Sequence, residues 1–301
     1  MARLLTSKPQ EASGYSSEES ELVKATCLTV AAILGDLMED ICIVGGLVPS
    51  MICPVEIDPA AAEDAHCGTR DLDVGLSLGL LDDERYKEMA ERLRNRGFEP
   101  DENDEGRATR QRWRWQKKIT IDFLIPPASG QSPGKLQSLE SDLAAQIVEP
   151  LHLAFEELVP IDVEGKNLFG DQLTRTVNFS GPASFVAMKA FAYRLRGEPK
   201  DTYDLVFVLT HWEPGLEDIC HRLEARAAEW SEIVSTALEY LRGDFETVDS
   251  NGPRDYSRFI DSTIDDRRLA DAHGAVTDFL AAWEQLRSRP GAPQRDQAMG
   301  R

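Results

Sequence analysis

The chain has 301 residues, 42% hydrophobic and 29% charged, a balance that suits a folded protein of one large domain or two small ones. Its 53 acidic against 33 basic residues give a formal net charge of -20, which excludes general affinity for nucleic acid: such a field repels polyanions unless basic residues are gathered locally. No apolar run approaches the roughly 20 residues needed to span a bilayer, and the N-terminus lacks the apolar core of a signal peptide. The expected setting is therefore cytoplasmic, with no membrane contact, and the five cysteines, odd in number and without a CxxC pair, read as reduced structural thiols.

Residues 1–19 are polar and rich in Ser, Glu and Pro, and residues 288–301 are similar, so both are expected to be disordered tails. Over residues 21–38 apolar side chains recur at helical spacing (Leu22, Ala25, Leu28, Ala32, Leu37), which predicts a helix. The run ICIV at 41–44 predicts a short strand, followed by Gly45-Gly46 and a helix beginning within 47–52, where Pro49 is tolerated in the first turn. Residues 54–64 read as a loop and 72–78 as a strand; Asp82 or Asp83 then caps a helix that presents Tyr86, Met89, Ala90 and Leu93 and ends at Asn95 and Gly97. Alternation over 110–125 predicts two strands or one long bent strand, with a Pro/Gly/Ser loop at 126–134. The stretch VPIDVEGKNLF reads as a small hairpin around Glu164-Gly165, and beyond Ser180-Gly181-Pro182 the pattern is helical, with Trp230, Tyr240 and Trp283 on apolar faces.

Three features carry chemistry. Alternation along a strand places Asp71 and Asp73 of DLDV on one side and Leu72 and Val74 on the other, so two carboxylates share one small volume and need solvent or a cation between them. Asp122 stands alone in the apolar strand ITIDFLI. The order strand, Gly45-Gly46, helix lets backbone N–H groups approach phosphates, and three carboxylates suit hard divalent cations. Each feature by itself also has a plain explanation: a tight turn, the wet face of an edge strand, an acid facing water. Together they form a kit for phosphoryl or nucleotidyl transfer, in which two metal ions would stabilise the attacking and leaving oxygens of an in-line displacement.

In VGG at 44–46, DLD at 71–73 and IDF at 121–123 the chain resembles the nucleotidyltransferase superfamily, and HCGTRDLD together with FVAMKAFAYRLRGEPKDTYDLVFVL at 185–209 resembles its AbiEii/MNT-like toxin group. The resemblance spans residues 20–210 and implies an α+β fold, a mixed sheet with flanking helices of the nucleotidyltransferase type, with its core over 20–150; the final helices are not covered by it, and their apolar faces complete a C-terminal, mostly helical lobe over 151–287. It further implies two Mg²⁺ ions held by Asp71, Asp73 and Asp122, with Asp122 the candidate base, and an NTP bound through Gly45, Gly46, Thr69 and Lys189. Lys189 and Asp204 would join the three acids in the catalytic set. The interval from Gly46 to Asp71 is longer than that family usually shows.

The residues themselves say less about Asp201, which reads as a helix cap beside a solvated Lys200, than about Lys189, whose apolar setting demands an anionic partner such as a phosphate or Asp204. Arg194 and Arg196 read either as phosphate ligands or as salt-bridge partners of nearby acids. The block RATRQRWRWQKK at 107–118 holds Arg107, Arg110, Arg112, Arg114, Lys117 and Lys118 with two tryptophans. It is either a focal contact for tRNA, the acceptor that the resemblance supports best, or a hairpin whose tryptophans cover the sheet. The expected activity is transfer of NMP from an NTP to a hydroxyl of tRNA or protein by a toxin-like enzyme with a cognate antitoxin. The alternatives are an antibiotic or other small molecule as acceptor, and a non-catalytic nucleotide-binding module.

Overall fold

A computed structural model of the chain describes residues 8–54, 65–77, 83–103 and 105–289. Helix α1 (Ser17–Leu34) begins earlier than its apolar spacing predicts, because Ser16 and Glu19 cap it reciprocally: the Ser16 hydroxyl oxygen accepts the Glu19 N–H and the Glu19 carboxylate accepts the Ser16 N–H, each at 3.2 Å. A 3-10 turn at Ala12–Gly14 leads into it, so residues 8–19, expected as part of a tail, are ordered against the body of the protein. There follow β1 (Ile41–Val44), a 3-10 turn at Gly45–Leu47, α2 (Val48–Ile52), β2 (Asp71–Leu76), α3 (Asp83–Arg94), β3 (Phe98–Glu102), β4 (Ala108–Trp115) and β5 (Ile119–Ile125). Then come β6 (Leu136–Ser138), β7 (Ala144–Ile147), α4 (Leu151–Glu156), β8 (Leu158–Lys166) and β9 (Gln172–Ser180). The loop expected over 54–64 lies, except for Pro54, outside the described residues, and so do positions 78 and 82.

These strands form one mixed sheet in the order β3-β4-β5-β2-β1-β9-β8, with β7 alongside the end of β5 and β6 beside β7. The three-residue connection between β4 and β5, residues 116–118, has Gln116 and Lys117 at φ 49 and 57°, the geometry that matches strand twist in a tight turn although neither residue favours it. Register then puts Arg112 opposite Asp122. The β8–β9 hairpin turns at 167–171, not at Glu164-Gly165, because the Asn167 side chain accepts the N–H groups of Phe169 and Asp171, each at 2.9 Å. Both strands belong to the main sheet, and the uninterrupted helical part begins at Pro182, where the pattern turns helical.

Strand parity sorts the two faces. Ile43 pairs with Val74 and Leu72 with Ile121, and these buried side chains face α1. On the opposite face Val44 pairs with Asp73 and Asp73 with Asp122, and the apolar neighbours Cys42, Val44 and Leu124 pack under Leu151, Ala154 and Met188. The helical part comprises α5 (Pro182–Arg196), α6 (Pro199–His211), α7 (Leu216–Ala227), α8 (Ser231–Asp244), α9 (Asn251–Asp261) and α10 (Asp266–Ser288). Its core includes Phe279 and Trp283, as the apolar spacing predicts for Trp283. All five cysteines are free thiols, and among the described residues no helix is long and apolar enough to cross a membrane.

Trp113, fully enclosed and packed edge-on against Phe123 at 6.2 Å, anchors the β4–β5 hairpin. Trp113→Ala is expected to lower unfolding free energy in urea titration by about 3–5 kcal/mol.

Candidate active site

The helix-lobe face of the sheet carries three acids within a small area. Asp71 and Asp73 are two residues apart on β2, and Asp122 on the parallel neighbour β5 is the register partner of Asp73. One carboxylate oxygen from each lies within 4.8 Å of the others. Beside them β1 ends at Gly45, whose φ of 71° favours glycine and whose missing Cβ would collide with the Asp73 carboxylate; a Cβ on Gly46 would collide with the Thr69 side chain. The diglycine turn is therefore required by close approach to the acids. Thr69 donates from Oγ1 to Asp71 Oδ1 at 3.1 Å, fixing that carboxylate's orientation.

The three acids are not equally compensated. Burial works to raise the pKa of Asp71, but Lys8, 2.8 Å from its Oδ2, with help from Arg112 and Thr69, holds it below the usual carboxylate range. Asp122 receives a two-pronged contact from Arg112, Nε to Oδ1 at 2.7 Å and Nη2 to Oδ2 at 2.5 Å. Asp73 has no hydrogen bond or ion pair among the described residues, and burial followed by the charge of Asp71 pushes its pKa up. An all-oxygen set with one uncompensated member fits a hard divalent cation such as Mg²⁺ or Mn²⁺, whose charge would relieve Asp73.

A second cluster, buried at Lys189, Asp201 and Asp204, ties the helical part to the same place. Lys189 on α5 donates to Asp201 Oδ1 at 2.8 Å and to Asp204 Oδ2 at 2.7 Å, both from α6. Although burial opposes its charge, the two acids hold its pKa above the ordinary value. Lys200 reaches Asp204 Oδ1 at 2.6 Å, and Arg196 grips Asp201 with Nε and Nη2, both at 2.7 Å. His66 Nδ1 accepts the Gly68 N–H at 3.1 Å, which assigns the ring proton to Nε2, 2.9 Å from Asp204 Oδ1. Burial pushes this imidazole down to about 4, so it is neutral. Asp204 is thus the shared acceptor of three side chains and lies well below its normal pKa despite burial, chiefly through Lys189 and Lys200.

Of the residues singled out in the sequence, Gly45, Gly46, Thr69, Asp71, Asp73 and Asp122 come together, and Lys189 and Asp204 line a narrow cavity of about 50 Å³ with Gly45, Gly46 and Thr69. Two expectations need correction. Asp201 is not a cap: Glu198 precedes the helix, and Asp201 is buried in its first turn by Lys189 and Arg196. Lys200 is not merely solvated but is held by Asp204. Arg194 and Arg196 both make salt bridges, to Asp244 at 2.6 Å and to Asp201.

The basic block adopts the hairpin arrangement. Trp113 and Trp115 are buried, Arg107 pairs with Glu105, and Arg112 faces the acids. Arg110 bonds Ser138 and the Glu140 carbonyl, and Arg114 pairs with Glu99, Asp101 and Glu102. Lys117 and Lys118 are exposed at the turn. Sequence reasoning missed three site residues. A count outward from a turn at 116–118 would have found Arg112 opposite Asp122; nothing in the polar N-terminal stretch marks Lys8, and His66 is marked only by the HxGTxDLD pattern.

Beyond the acids a larger cavity of about 830 Å³ opens between sheet and helices, lined by Asp73, Asp122 and Arg112 and by Met188, Phe191 and Tyr240. The chain matches no protein-family model, and no curated protein matches it.

The uncompensated carboxylate has a consequence for stability. Because the native pKa of Asp73 lies above its ordinary value of 3.8, the native state binds more protons than the unfolded state as pH rises past that value, and stability falls with pH across that interval. Asp73→Asn is expected to be more stable than the wild type to urea at pH 7 without divalent cation. The gain should shrink towards pH 3.5, and Mn²⁺ affinity should be lost; a variant less stable at pH 7 would contradict the assignment.

Proposed function

We propose that the protein is a divalent-metal-dependent nucleotidyltransferase that moves NMP from an NTP to an acceptor hydroxyl. The single observation that carries the reading is the convergence of Asp71, Asp73 and Asp122 from two neighbouring parallel strands onto a diglycine turn that only residues without a Cβ can form. The resemblance to AbiEii/MNT-like toxins supplies the reaction class.

In this reading Asp71, Asp73 and Asp122 hold Mg²⁺. The bound ions supply charge stabilisation for the attacking and leaving oxygens. The backbone of Gly45 and Gly46 and the Thr69 hydroxyl bind phosphate oxygens, and Lys200, whose ammonium is 3.5 Å from the place of a Gly46 Cβ, supplies positive charge beside them. Lys189, locked by Asp201 and Asp204, keeps α5 and α6 in register with the turn. The acceptor oxygen bonds to the α-phosphorus as its bond to pyrophosphate breaks, and a carboxylate of the triad takes the hydroxyl proton. Arg112 orients Asp122 and limits its charge.

A second reading differs in the acceptor. Four arginines of the basic block are already occupied by protein partners and both tryptophans are buried, so the focal RNA contact that a net charge of -20 requires is weak here. The 830 Å³ cavity has instead the size and mixed lining of a small-molecule site. A toxin-like role through tRNA or protein and an antibiotic-modifying role both remain readings of the same chemistry.

The test is label transfer from each α-labelled NTP to total tRNA, to a protein extract and to a panel of hydroxyl-bearing small molecules. Asp71→Asn and Asp122→Asn are each expected to lower transfer by about 10²–10³-fold with unchanged far-ultraviolet dichroism. Wild-type rates in both would end the metal assignment, and label confined to the small molecules would end the RNA reading.

A further inference from the structure

The path from Lys8 to Ser16 crosses the phosphate side of the candidate site. Lys8 Nζ sits 2.8 Å from Asp71 Oδ2, an oxygen that a metal ion would need. Pro9 and Tyr15 line the narrow cavity over Gly45 and Gly46, and the roughly 50 Å³ left there is far less than a triphosphate occupies. The adjoining 830 Å³ cavity shares Lys8, Gly45, Asp73, Lys189 and Arg196 with it, so Lys8 stands between a roomy space beside the acids and the narrow one over the diglycine turn.

This segment is held by contacts that a bound nucleotide would contest. The Tyr15 ring lies 5.3 Å from Lys200 Nζ and 5.8 Å from the Arg70 guanidinium, so it covers two cations near the diglycine turn. Arg70 Nη2 donates to the Gly14 carbonyl at 2.9 Å, and Gln10 reaches Glu198 at 3.4 Å. The outer anchor is Phe259 on α9, with its ring centroid 6.0 Å from that of Tyr15. Apart from the Asp71 pair these are weak or exposed contacts. The far end is firm, because the reciprocal Ser16–Glu19 cap fixes where the segment joins α1. A strap attached firmly at one end and weakly over the site can lift without disturbing the core.

We propose that residues 8–15 form an autoinhibitory strap in which the Lys8 ammonium takes the place of a divalent cation on Asp71 and Tyr15 screens the phosphate-binding cations. Metal and nucleotide together displace it. Without them, Lys8 relieves the repulsion between Asp71 and its neighbours; with them, the metal does so and the triphosphate recruits Lys200 and Arg70. The proposal rests on the metal and nucleotide site argued above.

Mn²⁺ binding is measured by electron paramagnetic resonance on the full chain and on Lys8→Ala and Lys8→Arg, alongside hydrogen exchange of the backbone over 9–15 with and without Mn²⁺ and a non-hydrolysable NTP. Lys8 is partly exposed and outside the core, so Lys8→Ala should fold normally. The expected result is Mn²⁺ affinity higher by about 3- to 10-fold in Lys8→Ala, the scale of one ion pair, wild-type affinity in Lys8→Arg, and faster exchange over 9–15 once metal and nucleotide are added. Equal Mn²⁺ affinity in the wild type and Lys8→Ala, or slower exchange on ligand addition, overturns the strap while leaving the site intact. Failure of every form to bind Mn²⁺ overturns the site and the strap together.

Discussion

Electrostatic repulsion among three carboxylates on one small patch of sheet is the constraint around which the rest of the molecule is arranged. Asp71, Asp73 and Asp122 lie on the same face because β2 and β5 run parallel in a register that pairs 73 with 122. The nearby groups answer that concentration of charge in three ways: Arg112 reaches across from β4, Lys8 comes back from the N-terminal segment, and Asp73 is left to take up a proton or a metal ion. Such an arrangement is costly to build for stability alone, since replacing one acid by a neutral residue would remove the repulsion without opening a cavity.

The second buried cluster solves a positional problem. Sheet and helices meet at α5 and α6, and an apolar contact alone would fix their separation better than their register. Lys189 bridging Asp201 and Asp204, with Arg196 and Lys200 completing the charge balance, specifies one relative placement, because any slip would leave a buried charge unpaired. The neutral His66 extends the same network to the segment immediately before β2, so the position of α6 is linked to the strand that carries Asp71 and Asp73.

Charge is also distributed unevenly in a way that bears on partners. The chain is strongly acidic, and the one stretch dense in arginine is neutralised locally by acids of β3, by Asp122 and by a backbone carbonyl. A block that looks like a polyanion contact when written as a line of letters becomes, once folded, the internal wiring of a hairpin. The space that remains beside the acids is a cavity with an apolar flank between sheet and helices.

Several elements were legible in the sequence because they depend on local rules. The alternation of DLDV and ITIDFLI sets which side chains share a face, the Gly-Gly pair after an apolar strand marks a turn with close approach, and the helices after Pro182 follow their periodicity. What local rules could not supply is pairing at a distance. The Gln116-Lys117 turn lacks the usual residues of its geometry, so the opposition of Arg112 to Asp122 was hidden, and the β8–β9 hairpin joined the main sheet although its sequence suggested a small isolated one. Asp201 looked like a cap because a helix start predicts one; only the arrival of Lys189 and Arg196 from α5 made it a buried ion-pair partner. Lys8 carries no signal, since its partner is 63 positions away and set by the path of a polar segment over the sheet. The sequence by itself determined which acids and glycines exist and which of them point together along a strand, because side-chain direction is a property of one element. The tertiary structure alone decided which cations meet those acids, because charge compensation requires strands and helices from distant parts of the chain to arrive at the same few ångströms.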